Sequence, residues 1–389
     1  TDLAAKLRPK FEAEIEELRK IKATETNNAN AKIEPWDVFY FTSQYEKKQF
    51  QIDENELRKY FEYNHVFDAM VKHYESIFSI NVKKVQAPYT WDEKVELLEL
   101  RDAEKDQILG FLYLDMFPRP ADEKYGHFAM FGFRDGITFG NGIKRAPMAA
   151  LVCNFPEAAE GKPALLSLDN VETLFHEFGH GLHQLLSQAE HSSQAGTNVP
   201  RDFVEAPSQF LEYFVTDKKA VQKISKHIED GSFIDGDTLD KIKASKQATV
   251  GISYTRQMAY ATMDLKIYSE ISDENVSSQE IVDLSNGVFA NVYLAYPEGS
   301  AWITNFNHIL GGGYDAGYYG YGWSDVIAAD IASEFESSPH GYYDQELGKK
   351  YRKHILESGS SRSVEESIEK FLGRPFNNKA FLKNLGLDG

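Results

Sequence analysis

A mainly α-helical protein with one small, mostly antiparallel β-sheet follows from three features of the chain. Apolar residues recur at helical spacing over most of its length. Five short runs rich in Val, Leu, Phe and Tyr interrupt that pattern between residues 95 and 168. An apolar content of 42 %, with 13 % aromatics, is enough for a large packed core in 389 residues.

The first helix is expected over residues 1–26, where Leu3, Leu7, Phe11, Ile15, Leu18 and Ile21 form one stripe. TNNANAKIEPWD reads as a loop around Pro35, and DVFYFTSQYEKKQF as a second helix. Asp53 can cap one or two further helices through ENELRKYFEYNHVFDAMVKHYESIFSI. His65 and His73 within them have no acidic partner at metal-binding spacing and read as surface or core histidines.

VELLELR, QILGFLYLD, HFAMFGF, AALVCNF and PALLSL are the five apolar runs, separated by charged or Gly/Pro-containing turns. They predict the sheet, whose edge could hold an extended peptide by backbone hydrogen bonds. Cys153 lies in one of them and reads as packing. A single cysteine excludes an internal disulfide framework and fits a reducing compartment.

The densest chemistry follows. Val171, Leu174, Phe175, Phe178, Leu182, Leu185 and Leu186 predict a mostly buried helix, capped by Asp169 or Asn170 with Glu172 in its first turn. On it His176, Glu177 and His180 spell H-E-x-x-H. Residues four apart stack on one helical face, so the two imidazoles project toward one point. Glu177 lies about 100° further round, able to reach a water at that point but not aligned as a third ligand. Two imidazoles suit zinc, and the carboxylate suits taking a proton from water beside it. The bland alternative is a chance match holding two hydrogen-bonded core histidines.

DFVEAPSQFLEYF then predicts a second helix from near Asp202, with Asp202 and Glu205 at capping-box spacing. A structural zinc site closes on four protein ligands, often thiolates, and the chain has one cysteine. Three ligands with an open position is the catalytic arrangement, and Glu205 is the carboxylate at hand. Its competing reading is an ordinary capping residue. Glu172, one turn before His176, is a candidate for orienting a ligand histidine, against a plain first-turn glutamate.

HEFGHGLH followed by GTNVPRDFVEAPSQFLE resembles the M3 family of zinc oligopeptidases, and YLDMFPRPADEKYGHFAMF and NGIKRAPMAALVCNFP resemble family segments too. The similarity covers essentially the whole chain. It implies a zincin-like catalytic region, one Zn²⁺ held by His176, His180 and Glu205, Glu177 as general base, and short peptides as substrates. It also implies roles in HILGGGYDAGYYGY. A Tyr/Gly-rich loop by itself reads as cleft packing, yet an oxyanion needs a donor, and tyrosines on a glycine-hinged loop could supply it. The family pattern implies His308, Tyr314, Tyr318 and Tyr321 as substrate-binding residues, with His308, Tyr318 and Tyr321 also catalytic.

Residues 217–296 are again helical in pattern, broken near 231–236, and SKQATVGISYTRQMAYATMDLKIYSEI reads as a long helix in the wall of the site whose aromatics are core. A helical segment over 1–90 is expected to pack on a catalytic region over 91–389. The expected activity is zinc-dependent hydrolysis of short peptides. Two alternatives stand beside it: an inactive zinc-binding or interaction fragment of a longer oligopeptidase, and a dipeptidyl carboxypeptidase, toward which NVPRDFVE leans. Family members are usually longer, so a missing N-terminal part or a dimer mate is expected to cover the channel. A net charge of −18 without a basic patch argues against nucleic acid and anionic membrane as partners. The lack of a long apolar run or signal pattern points to the cytoplasm.

Overall fold

The computed structural model describes residues 2–120, 123–124, 126–271 and 276–387. Ala121, Asp122 and Tyr125, within YLDMFPRPADEKYGHFAMF, lie outside the described residues. The chain opens with helices α1 (Asp2–Glu25) and α2 (Val38–Phe50), then short α3 (Glu54–Arg58) and α4 (Tyr63–Phe78). Strands β1 (Ile80–Val85), β2 (Glu96–Asp102), β3 (Ile108–Asp115) and β4 (Ala129–Arg134) follow. A small hairpin, β5 (Ile137–Thr138) and β6 (Lys144–Arg145), leads to β7 (Met148–Val152). Helices α5 (Leu168–Leu186), α6 (Ala206–Glu212) and α7 (Lys218–Ile224) precede the 35-residue α8 (Gly236–Glu270). After α9 (Ser278–Val292) come α10 (Gly320–Ser337), α11 (Gln345–Tyr351), α12 (Val364–Leu372) and α13 (Lys379–Asn384).

Contacts in space divide the chain into two units. One comprises Thr1–Asp53, Asp237–Trp323 and Lys379–Gly389, the other Glu54–Gly236 and Ser324–Asn378. The expected cut between residues 90 and 91 divides the chain along its sequence, whereas each contact unit is assembled from separate stretches.

In the second unit the sheet has the order β1-β2-β3-β7-β4. Three neighbouring pairs are antiparallel and β3–β7 is parallel, because β4 and the β5–β6 hairpin intervene in sequence. Four of the five expected runs are strands. PALLSL is not: it touches Glu62 through one isolated bridge at Leu165 and runs into the start of α5. Within this five-stranded sheet the unanticipated strand is β1, INVKKV. Only Ile80 in it is buried, since an edge strand with Asn81, Lys83 and Lys84 carries little apolar signal.

Helix α5 lies against this sheet and against aromatic residues of α4. A Cβ on Gly110 of β3 would sit 2.7 Å from Leu185, so the glycine permits the close approach of helix and sheet. Phe178 stacks on Tyr74 at 5.5 Å and 25°, and Phe175 meets the same ring edge-on at 5.7 Å. The end of β3 is pinned by Asp115, which accepts two bonds from Arg119 at 2.7 and 2.8 Å and one from Trp91 at 2.8 Å. The cap of α5 differs from expectation. Ser167 accepts from the Asn170 amide at 3.1 Å while Asn170 accepts from the Ser167 amide at 3.2 Å, a reciprocal box that starts the helix at Leu168.

In the first unit, Phe11, Leu18, Tyr260, Met263, Phe289 and Tyr293 form the core between α1, α8 and α9. Tyr260 is thereby a core residue, as expected of the aromatics of α8, whereas Tyr268 on the same helix is half-exposed. The buried Glu14 carboxylate accepts from the Gly251 and Ile252 amides at 3.1 and 2.8 Å, tying α1 to the middle of α8. No helix among the described residues is long and apolar enough to cross a membrane.

Candidate metal centre

The turn of α5 that carries H-E-x-x-H brings His176 and His180 to one face, their Nε2 atoms 3.2 Å apart. Glu205 reaches them from the next helix. Its Oε2 lies 3.2 Å from His176 Nε2 and 3.1 Å from His180 Nε2, and the residue is 1 % exposed. Tetrahedral ligands about 2.1 Å from a zinc centre lie about 3.4 Å from one another, so the spacing of these donors suits such an ion. The same three residues form a possible ligand set among the described residues. Burial works against a charged Glu205, but the facing histidines outweigh it and hold the carboxyl well below its usual range.

Glu205 is placed by a close helix contact. It occupies the N-cap position of α6, which starts at Ala206 and not near Asp202, and makes no side-chain cap bond, so the capping reading does not hold; its carboxylate lies against the two histidines. Helix α5 approaches α6 so tightly that a Cβ on Gly179 would fall 2.8 Å from the Ser208 Cα. Ser208 itself donates to Glu205 Oε2 at 3.1 Å.

His176 Nδ1 is held by Glu212, 2.6 Å away. Glu212, and not Glu172, is therefore the carboxylate that orients this histidine. The sequence held a signal for it, since Glu212 stands seven residues after Glu205 and shares its face of a helix. Burial opposes charge on His176, while hydrogen bonds to Glu205 and Glu212 raise its basicity well above the ordinary value. Tyr213, next along, donates to Asp325 at 3.1 Å, and burial pushes that carboxyl up to about 7.

Glu177 is 6 % exposed, and its Oε2 has no hydrogen-bond partner among the described residues. Burial raises its pKa, opposed by the neighbouring histidines. A buried, unpaired carboxylate oxygen is costly unless a function retains it. His183, the third histidine of HEFGHGLH, does not join the donors. It is fully buried, its ring nitrogens have no hydrogen-bond partner among the described residues, and burial pushes it down to about 3.

Strand β4 forms one edge of the sheet and, among the described residues, is paired only with β7. It runs beside α5, where Asp135 just beyond it accepts from Gln184 at 2.8 Å. His308, Tyr314, Tyr318 and Tyr321 gather in the first unit. Tyr314 stacks on Tyr321 at 5.0 Å and 20°, Tyr318 lies 5.0 Å from Tyr321, and the His308 ring is 5.8 Å from Tyr318. Tyr318 is buried in the core of that unit and its hydroxyl donates to Gln257 at 3.0 Å.

Two imidazoles on a buried helix, closed by a carboxylate at the start of the following one, make up a possible metal-ligand set. Residues 1–387 match the model of peptidase family M3, and the chain belongs to that family. It is 33 % identical over 392 residues to oligopeptidase A of Salmonella typhimurium, covering 100 % of this chain and 56 % of the relative. It is 30 % identical over 357 residues to dipeptidyl carboxypeptidase of Escherichia coli, covering 91 % and 51 %. A solved structure described as a putative oligoendopeptidase F shares the fold, with a TM-score of 0.52 at 12 % identity over 98 % of this chain and 57 % of that one. The chain thus spans about half the length of the curated relatives it matches.

Proposed function

We propose that this chain hydrolyses peptide bonds in short peptides, using a zinc ion held by His176, His180 and Glu205. The meeting of Glu205 with His176 and His180 of α5, a helix that also buries a Glu177 carboxylate oxygen without a partner among the described residues, carries the reading. Zinc, when bound, supplies a charge that polarises a carbonyl and acidifies water. Glu177 takes the proton of the attacking water and hands it to the leaving amine, a task suited to a carboxyl whose basicity burial has raised. Glu212 keeps the His176 ring turned so that Nε2 faces the other donors. Strand β4, at the sheet edge among the described residues, offers an extended peptide backbone hydrogen bonds, and the exposed Phe131 and Phe133 offer apolar contacts. By family resemblance, His308, Tyr314, Tyr318 and Tyr321 bind substrate, and one or both of Tyr318 and Tyr321 donate to the oxyanion, Tyr318 only on releasing its bond to Gln257. The names of the relatives support oligopeptides as the substrate class. The single cysteine, buried and free, supports a reducing, cytoplasmic setting.

Cleavage of a short quenched fluorescent peptide tests the proposal. Hydrolysis should stop with a chelator, return with zinc and be absent from Glu177→Ala. Metal uptake without cleavage would sink it and leave a zinc-binding portion of a longer oligopeptidase. Amidating the peptide C-terminus separates an endo-acting enzyme, which tolerates the change, from a dipeptidyl carboxypeptidase, which does not.

A further inference from the structure

We propose that Asp264 is a positioning residue for the tyrosine-bearing segment 308–321, holding its backbone against α8; this rests on the substrate role given above to those tyrosines. Asp264 is 0 % exposed, on a helix face it shares with Tyr260, Met263 and Ile267. A carboxylate in such surroundings needs hydrogen bonds to compensate for lost water. Oδ1 accepts from the Ala316 amide and Oδ2 from the Tyr318 amide, each at 2.9 Å, and the Gly317 amide contributes as well.

Three successive amides can face one anion only if the chain curls sharply, and Ala316 adopts φ +52° to do so. A non-glycine residue seldom takes that left-handed conformation, so the buried carboxylate is what holds it there. One turn further along α8, the half-exposed Tyr268 donates its hydroxyl to the Ile309 carbonyl. Two turns before Asp264, Gln257 accepts from the Tyr318 hydroxyl at 3.0 Å. Gln257, Asp264 and Tyr268 form one stripe of the helix.

The segment is thus clamped at residue 309 and again at 316–318. Between the clamps lies the tip, where Gly311 and Gly313 have φ of 142° and 80°. The conformational freedom that the glycines confer is confined to this tip, and the ring of Tyr314 rides on it, stacked on Tyr321. Tyr318 does not travel with the tip. Its register is set by α8, and the chemistry of an aligned donor depends on such alignment.

Asp264→Asn keeps the volume but places an amide donor where the segment presents its own donors. In the full chain, amide exchange at Ala316 and Tyr318 should accelerate, zinc content should hold, and kcat should fall about a hundredfold with a smaller change in KM. Combining it with Tyr321→Phe should give losses well short of multiplicative, because both act through the same tyrosines. Unchanged exchange, unchanged kcat or fully multiplicative losses would each overturn the clamp. Tyr268→Phe, at a half-exposed position that tolerates the change, probes the other end and should lower kcat about tenfold; no effect there refutes a two-ended clamp. If the wild-type chain cleaves no peptide, the peptidase reading fails and the exchange rates alone decide the clamp.

Discussion

The Nδ1 atom of His176 lies 2.6 Å from Oε1 of Glu212, which leaves Nε2 turned toward His180 and Glu205. A carboxylate in this position fixes the ring and its tautomer and strengthens it as a ligand. Glu212→Gln should therefore weaken zinc binding about 10- to 100-fold while the fold survives, read by competition with a chromophoric chelator. Wild-type affinity in the variant would remove Glu212 from the centre.

Glu177 should show a separation of function from stability. Glu177→Gln keeps the shape and removes the charge from a site where Oε2 has no partner among the described residues. Zinc uptake should persist, cleavage should fall by about 10²–10⁴, and the melting temperature should be no lower than that of the wild type. A variant that melts well below the wild type would mean that the carboxylate supports the fold.

Gly179 tests how the third ligand is delivered. A methyl group there would meet the Ser208 Cα at 2.8 Å, and backbone cannot rotate away as a side chain can. Gly179→Ala should force α5 and α6 apart, destabilise the protein by about 1–3 kcal/mol and reduce zinc affinity together. Lost stability with unchanged zinc affinity would show that Glu205 is placed by something other than this contact.

His73 should make the protein sensitive to mild acid. Both ring nitrogens lack partners among the described residues, and the rings of Phe214 and Tyr343 pack edge-to-face with it, centroids 4.4 and 4.6 Å away. Burial pushes the ring down to about 3 from an ordinary 6.5. Between those values the unfolded chain binds a proton that the folded chain does not, so stability is full above the upper value and declines as pH falls through the window. The slope for one group is about 1.4 kcal/mol per pH unit. Urea midpoints across the window should fall less steeply for His73→Leu; parallel curves would disprove the assignment.

Much of this was readable before any fold was known. The stripe from Leu3 to Ile21 and the run from Val171 to Leu186 each became a helix, because apolar periodicity reports a face that must be buried. His176 and His180 were legible as a pair, since helical spacing alone puts them together. The strand β1 escaped because an edge position lets polar residues dominate, and the role of PALLSL was misread because a buried approach to a helix is as apolar as a strand. Asp264 was visible only as an acid on an otherwise apolar face, a signal that names no partner.

Local structure is written in residues a few positions apart: the helices, the capping residues near Ser167, and the two imidazoles on one face all follow from backbone hydrogen bonds that close within one turn. Partners across long stretches of sequence were settled by packing. The approach of α5 to α6 at Gly179 brings Glu205 and Glu212 to His176, and the folding of the chain back on α8 brings Ala316 and Tyr318 to Asp264. Such contacts depend on how whole faces fit together, and sequence spacing does not encode that fit.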